Sequence, residues 1–396
     1  MPPLVLSSMI EDSQALCLSE FQTRSHFNVQ HRYIHFDLAL PEFLNFALES
    51  QGPDVSQIGS TWLGSLTGMT ALRMFRAEEV ALFGGRDAFL PAAWESSRLI
   101  DVEDVYAIPW LGDVRFLVYR RDILDKAGID ETKAFVNAEA CEDTLARLQS
   151  AGVENVLALS TVDNLILHVT CWIWGAGGAF RTPDHRHLTL SDPKTLSGIH
   201  QFYQLNRYIA PAARNLGMED CTGLFCQGGA AVVLTGYRQF AKNIQNLPPD
   251  IPLEAIAFAP VPGVPIIGGS SLVIWLHSYQ EEAAVKLVQH LVSPEVQWRL
   301  FQTAGELPTR ADVLASEPFS SDRFLQVVVQ SLKTGRPFQS SRKWAVIGIH
   351  LKPALRQLYA DLYENPDLDL KSEVARRFSD LENTIEESLL RTHPLF

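Results

Sequence analysis

No stretch of the 396 residues approaches the roughly 20 consecutive apolar positions that a membrane-spanning helix requires, and mean hydropathy is +0.01. The net charge of −13 comes without any Lys/Arg run or basic stripe interleaved with aromatics, so a nucleic-acid partner has no electrostatic source. The catalytic signatures GxSxG, HExxH, GxxxxGK and GxGxxG are all missing. Eleven histidines are scattered, and DHRHL (184–188) reads as a surface turn rather than a zinc site. The five cysteines Cys17, Cys141, Cys171, Cys221 and Cys226 show no CxxC spacing, and their odd number leaves at least one unpaired. Only CTGLFC is spaced for a local disulfide; otherwise the cysteines read as small buried hydrophobes. The start, MPPLVLSSMIEDSQ, has neither a basic leader nor an apolar segment long enough for a secretory signal. The chain is then either cytoplasmic or begins after a removed leader. No low-complexity linker or internal repeat divides it.

What is present is apolar material for substantial cores: 46% of residues are hydrophobic and 20% charged, in a chain long enough for two to three domains. Short apolar runs alternate with longer amphipathic ones, the pattern of an α/β fold. LVLS (4–7), YIHF (33–36), DVSQI (54–58), VYAIPW (105–110), FLVY (116–119), NVLAL (155–159), AAVVL (230–234), AIAFAP (255–260) and SLVIWL (271–276) read as strands, several buried on both faces. SYQEEAAVKLVQHLVS (278–293) opens with a serine cap and places Ala284, Leu287, Val288 and Leu291 on one helical face. SPEVQWRLFQTAG starts with Ser-Pro and stops at Gly305. Val374, Phe378, Leu381, Ile385 and Leu389 give the tail a packing face.

Five segments fall in a familiar order: GPDVSQIGSTWLGSLTGMTALRMF (52–75), YAIPWLGDVRFLVYRRDILDKAGI (106–129), WIWGAGGAF (172–180), FCQGGAAVVLTGYRQF (225–240) and the run from GGSSLVIWL to ELPTR (268–310). In this order they resemble the sugar-type, maltose-binding-protein-like solute-binding proteins of ABC importers. The resemblance implies an α/β two-lobe periplasmic-binding-protein fold of type II that closes on its ligand by hinge bending. It implies an N-terminal lobe from 1–111 and 261–312 and a C-terminal lobe from 112–260 and 313–396. The crossings fall near Trp110–Asp113 and Pro260–Pro262, where apolar strands independently run into Pro and Gly.

A sugar presents a face of C–H bonds and a rim of hydroxyls, so its receptor needs aromatic platforms bordered by donors and acceptors. CWIWGAGGAF (171–180) suggests Trp172 and Trp174 as such a platform, with Gly175 and Gly178 admitting the ligand to the backbone. On a strand the two rings share a face; on a helix they diverge and only one reaches ligand, the alternative being core aromatics under a turn. Trp62 follows a strand end, where open α/β sheets place ligands. Trp110, Asp113 and Arg115 lie on the first crossing and offer charge-assisted bonds to hydroxyls or, alternatively, an ion pair that locks the hinge. Tyr237 and Arg238 follow a strand at the place where the family offers an aromatic. Gly269 and Ser270 present small groups from the first lobe or form an ordinary turn, and Trp344 resembles the late aromatic of the family's C-terminal lobe. Glu11 and Asp37 occupy loops after strands and otherwise read as caps or exposed carboxylates. Trp94, Trp275 and Trp298 sit in core-like patterns.

The expected function is reversible binding of a carbohydrate, glycoside or polyol by a monomer on the periplasmic or extracellular face, and its delivery to membrane permease subunits, without cofactor, metal or catalysis. Two rivals use the same residues. One is a glycoside hydrolase with two carboxylates, for which 46 acidic residues supply candidates but no geometry; the other is a ligand-sensing domain of a signalling system.

Overall fold

β-Branched and aliphatic runs bounded by glycine, proline and polar residues become strands. The computed structural model describes residues 2–391 except 101 and 339. Its strands in chain order are β1 (Leu4–Ser8), β2 (Val29–Tyr33), β3 (Val55–Gly59), β4 (Leu72–Arg73), β5 (Ile108–Arg120), β6 (Leu157–Ala158), β7 (Val232–Gly236), β8 (Ile256–Pro260), β9 (Ile266–Trp275), β10 (Leu307–Pro308) and β11 (Arg336–Pro337). Two expectations change. YIHF is not a strand, because pairing with β1 ends at Tyr33 and His35 caps a helix that begins at Phe36. The runs at 105–110 and 116–119 belong to one strand, β5, in which Gly112 and Asp113 are the partly open residues between two buried stretches.

The chain divides into two units. Unit 1 comprises the residues up to Val114 together with Ile267–Ala345; unit 2 comprises Arg115–Ile266 and the described residues from Val346 onward. The third crossing lies later than the expected 312, since residues 313–345 pack within unit 1. There Phe338 donates its N–H to the Ile267 carbonyl at 3.1 Å, and β11 pairs with β9.

In unit 1 the sheet order is β2-β1-β3-β9-β5, with β1 parallel to β2 and β3, and β9 antiparallel to β3 and β5. Alternation along β9 sends Leu272 and Ile274 into one apolar cluster and Val273 and Trp275 into another, so helices cover both faces. The helix Pro294–Ala304 is capped by the Ser293 side chain and stopped by Gly305 in the left-handed region, as its sequence foretells. In unit 2 the order is β8-β5-β7-β6, β6 and β7 being parallel. Its core includes Trp172, whose ring meets Phe202 edge-on at 5.2 Å.

All five cysteines are free and buried. Burial pushes the thiols of Cys141, Cys221 and Cys226 up to about 12, which leaves them protonated and unreactive at neutral pH.

Candidate functional site

Loops that follow parallel strands gather at the carboxyl edge of an open α/β sheet, where such folds hold ligands. In unit 1 that edge receives the ends of β1, β2 and β3, and antiparallel pairing adds the start of β9 and the Leu111–Asp113 stretch of β5. Gly59 lies opposite Ser270, and Gly112 opposite Gly269. Glu11, Asp37, Trp62, Asp113, Gly269 and Ser270 are thus placed along one edge. Glu11 and Asp37 are exposed and Asp113 half-buried. Ser270 accepts from Gln57 Nε2 at 2.8 Å while Gln57 Oε1 accepts from the Met9 N–H at 2.7 Å, so a buried amide fixes the loop after β1 to the start of β9. Ser340 Oγ donates to the Thr61 carbonyl and accepts from the Gly64 N–H, both at 3.3 Å, which brings the 340–344 segment to the loop after β3. Trp344 there meets Phe338 edge-on at 4.6 Å.

Gly269 has a structural explanation of its own. Its φ is +124°, and a Cβ would lie 2.0 Å from the Leu111 carbonyl oxygen, so β5 and β9 can approach only with glycine here. Trp110 is corrected to a core residue. It is fully buried in the cluster with Leu272 and Ile274, and its indole N–H donates to the Leu291 carbonyl at 2.9 Å.

In unit 2 the carboxyl ends of β6 and β7 lead into residues 159–164 and 236–238, and Arg115 lies opposite Gly236 on the neighbouring strand. Tyr237 and Arg238, both half-buried, open the helix Tyr237–Asn243 at this edge. Arg115 is also corrected: only 2% exposed, it is a support and not a rim residue. Its Nη2 donates to Asn164 Oδ1 at 3.3 Å. Asn164, the left-handed cap of the helix Leu165–Gly175 at φ 55°, then has its amide N–H₂ left to donate. His168, one turn along, is fully buried, with neither ring nitrogen hydrogen-bonded. Burial above all, and then the Arg115 guanidinium, hold its pKa well below the ordinary histidine value, so the ring is neutral. Asp163 is occupied structurally: it accepts from Ser160 Oγ at 2.6 Å and from the Met218 N–H at 3.0 Å.

Asn164 escaped the sequence reading, although the Asp-Asn pair that closes the STVDN stretch after the NVLAL run is a turn signal, Asn being a residue that tolerates the left-handed region. Phe36 escaped as well, because a strand was expected to run through it.

The segment CWIWGAGGAF forms the opposite end of the Leu165–Gly175 helix. Ten residues separate Asn164 from Trp174, about 15 Å along the axis. Trp172 is 1% exposed, a core residue, and Trp174 is half-buried. The glycines serve packing: a Cβ on Gly175 would lie 2.8 Å from Gly263 Cα, and one on Gly178 would lie 2.6 Å from the Thr195 backbone nitrogen. Beside this end is a cavity of about 410 Å³ whose walls include Asn137, Glu139, Trp172, Gly175, Gln201 and Gly263. Among the described residues no group of three His, Cys, Asp or Glu is arranged to hold a metal, and no helix is long and apolar enough to cross a membrane.

Comparison with known proteins accords with this architecture. The "Probable ABC transporter-binding protein" of Deinococcus radiodurans is 26% identical over 232 residues, 54% of this chain and 54% of its own length, so the match spans about half of that relative. Among solved structures, the sugar-binding protein MalE from Xanthomonas citri superposes with a TM-score of 0.83 at 19% identity, covering 98% of both chains. UgpB from Mycobacterium tuberculosis, in complex with glycerophosphocholine, superposes with a TM-score of 0.80 at 17% identity over 99% of both chains. The fold is the two-lobe periplasmic-binding-protein fold, and these neighbours are binding proteins, not enzymes. Residues 41–298, more than half of the sequence, match the model of the bacterial extracellular solute-binding proteins, and the chain belongs to that family.

Proposed function

We propose that this protein binds a carbohydrate or polyol reversibly outside the cytoplasm and delivers it to the permease of an ABC importer, with the unit crossings after Val114 and Ile266 serving as hinges. The observation that carries the reading is the chemistry of the two strand edges. Unit 1 supplies carboxylates and a hydroxyl beside an aromatic ring (Glu11, Asp37, Ser270, Trp344), and unit 2 supplies a phenol, a guanidinium and an amide (Tyr237, Arg238, Asn164). Carboxylates match hydroxyl donors, amide and guanidinium match hydroxyl acceptors, and rings match C–H faces. That combination suits a neutral ligand rich in hydroxyls. The family membership and the sugar-binding neighbour support the same class.

A thermal-shift screen against mono-, di- and trisaccharides, polyols and glycerophosphocholine tests it, with mass spectrometry of each sample. A sugar at 100 times its dissociation constant stabilises the fold by about 2.7 kcal/mol and is recovered intact. Stabilisation by glycerophosphocholine alone would replace the neutral ligand with a phosphodiester, and recovery of cleaved sugar would overturn the receptor reading.

A further inference from the structure

Aromatic rings in unit 1 form a continuous series from the core to the carboxyl edge of the sheet. Trp275, fully buried, meets Phe43 edge-on at 6.1 Å; Phe43, also fully buried, meets Trp62 at 6.0 Å; Trp62, 7% exposed, meets Phe36 at 5.4 Å with a 39° tilt. Phe36 is 57% exposed, so the series ends in a ring with one side on Trp62 and much of its surface open. Trp62 is fixed from beneath as well: its indole lies over Gly59, where a Cβ would come within 3.1 Å of the ring. Phe36 stands three, seven and ten residues before the buried Ala39, Phe43 and Phe46 and so begins the apolar stripe of the 36–49 helix, yet unlike those three it stays largely open. Polar groups flank the ring on both sides. His35 Nδ1 accepts from the Asp37 N–H at 3.4 Å, and the Asp37 side chain is 80% exposed.

We propose that Phe36, with the Asp37 carboxylate beside it, is the residue of unit 1 that stacks on the sugar, and that Trp62 supports it from below. This rests on the carbohydrate reading given above and names the ring that performs it. Trp62 has too little surface left to be the platform, whereas Phe36 offers an apolar face held rigid by packing, with an acceptor adjacent for a hydroxyl. Rigid support matters because a platform already ordered loses little entropy when ligand arrives. The open ring also contributes little to the fold, so removing it separates binding from stability.

The test titrates maltose, trehalose, glucose and ribitol calorimetrically into wild-type, Phe36→Ala and Phe36→Tyr proteins, with a melting curve for each. For whichever of the four the wild type binds, Phe36→Ala is expected to weaken affinity about tenfold, as stacked rings do elsewhere, while Phe36→Tyr restores it. The melting temperature of Phe36→Ala should stay within about 2 °C of wild type. Wild-type affinity in Phe36→Ala would overturn the assignment and leave the sugar reading intact. A wild type that binds none of the four would remove the sugar reading and this inference together.

Discussion

The two strand edges solve the same problem by different means. In unit 1 the edge is built on packing: Trp275, Phe43 and Trp62 succeed one another outward, and the exposed Phe36 is held by contact alone. In unit 2 it is built on a buried guanidinium, because an amide must be turned the right way as well as placed. Arg115 occupies Asn164 Oδ1 and so decides which end of that side chain faces outward. An apolar platform needs a solid base; a polar contact needs an orienting partner. The lesson is that the residues richest in chemistry by type, Arg115 and the tryptophans, are mostly supports, and smaller or less conspicuous neighbours occupy the surface.

Four sets of measurements sharpen this contrast, beginning with the largest effect. Trp62→Ala should lower stability by about 3–5 kcal/mol and also weaken sugar binding, whereas Trp172→Ala should cost similar stability with affinity per folded molecule unchanged. Unfolding and titration calorimetry on the pair would break the comparison if Trp172→Ala lost binding at wild-type stability. Next, Arg115→Ala should cost about 2 kcal/mol, and lysine should not restore it because it lacks the planar fork. Asn164→Gly keeps the left-handed backbone and should reduce affinity about tenfold, with a stability cost of about 1–3 kcal/mol for the buried Arg115 donor that loses its acceptor.

The third effect follows pH. His168 has a folded-state pKa below that of the unfolded chain, so the unfolded state binds the extra proton under acid conditions. Stability contributed by the neutral ring is therefore full above the ordinary histidine value and declines as pH falls below about 6.5, by up to ~1.4 kcal/mol per pH unit for one proton. His31, His200 and His290, lowered chiefly by burial, add to the same slope. His168→Leu should make the acid limb of a stability-against-pH curve shallower by about one proton; an unaltered slope would mean the ring carries its proton in the fold. Smallest of all, Trp174→Ala should alter sugar affinity by less than about 0.5 kcal/mol, measured by calorimetry, since its end of the helix is remote from Asn164.

Much of the framework was legible because it follows from local rules. Buried strands announce themselves as apolar runs, as β7 and β9 do, and the Ser293 cap with Gly305 marked one helix at both ends. The edge positions Glu11, Asp37, Trp62 and Tyr237 were legible too, as residues just after strands. The Trp-Gly segment misled because its glycines invite a ligand explanation, while their actual cause, close approach to Gly263 and Thr195, involves residues far along the chain. Arg115 misled for a related reason: burial on the central strand of unit 2 is a property of its neighbours β7 and β8, which no local pattern around residue 115 contains. Phe36 was missed through a boundary shift of a few residues, enough to turn a supposed strand residue into an exposed helix start.

Hydrogen exchange read by mass spectrometry, with and without the best stabilising sugar, tests the central claim most directly. The account predicts that sugar slows exchange in residues 9–12, 34–38, 60–63, 160–164 and 236–238, the loops of the two strand edges. Protection confined to residues 136–139, 172–178 and 262–264, around the cavity at the other end of the helix, would contradict it.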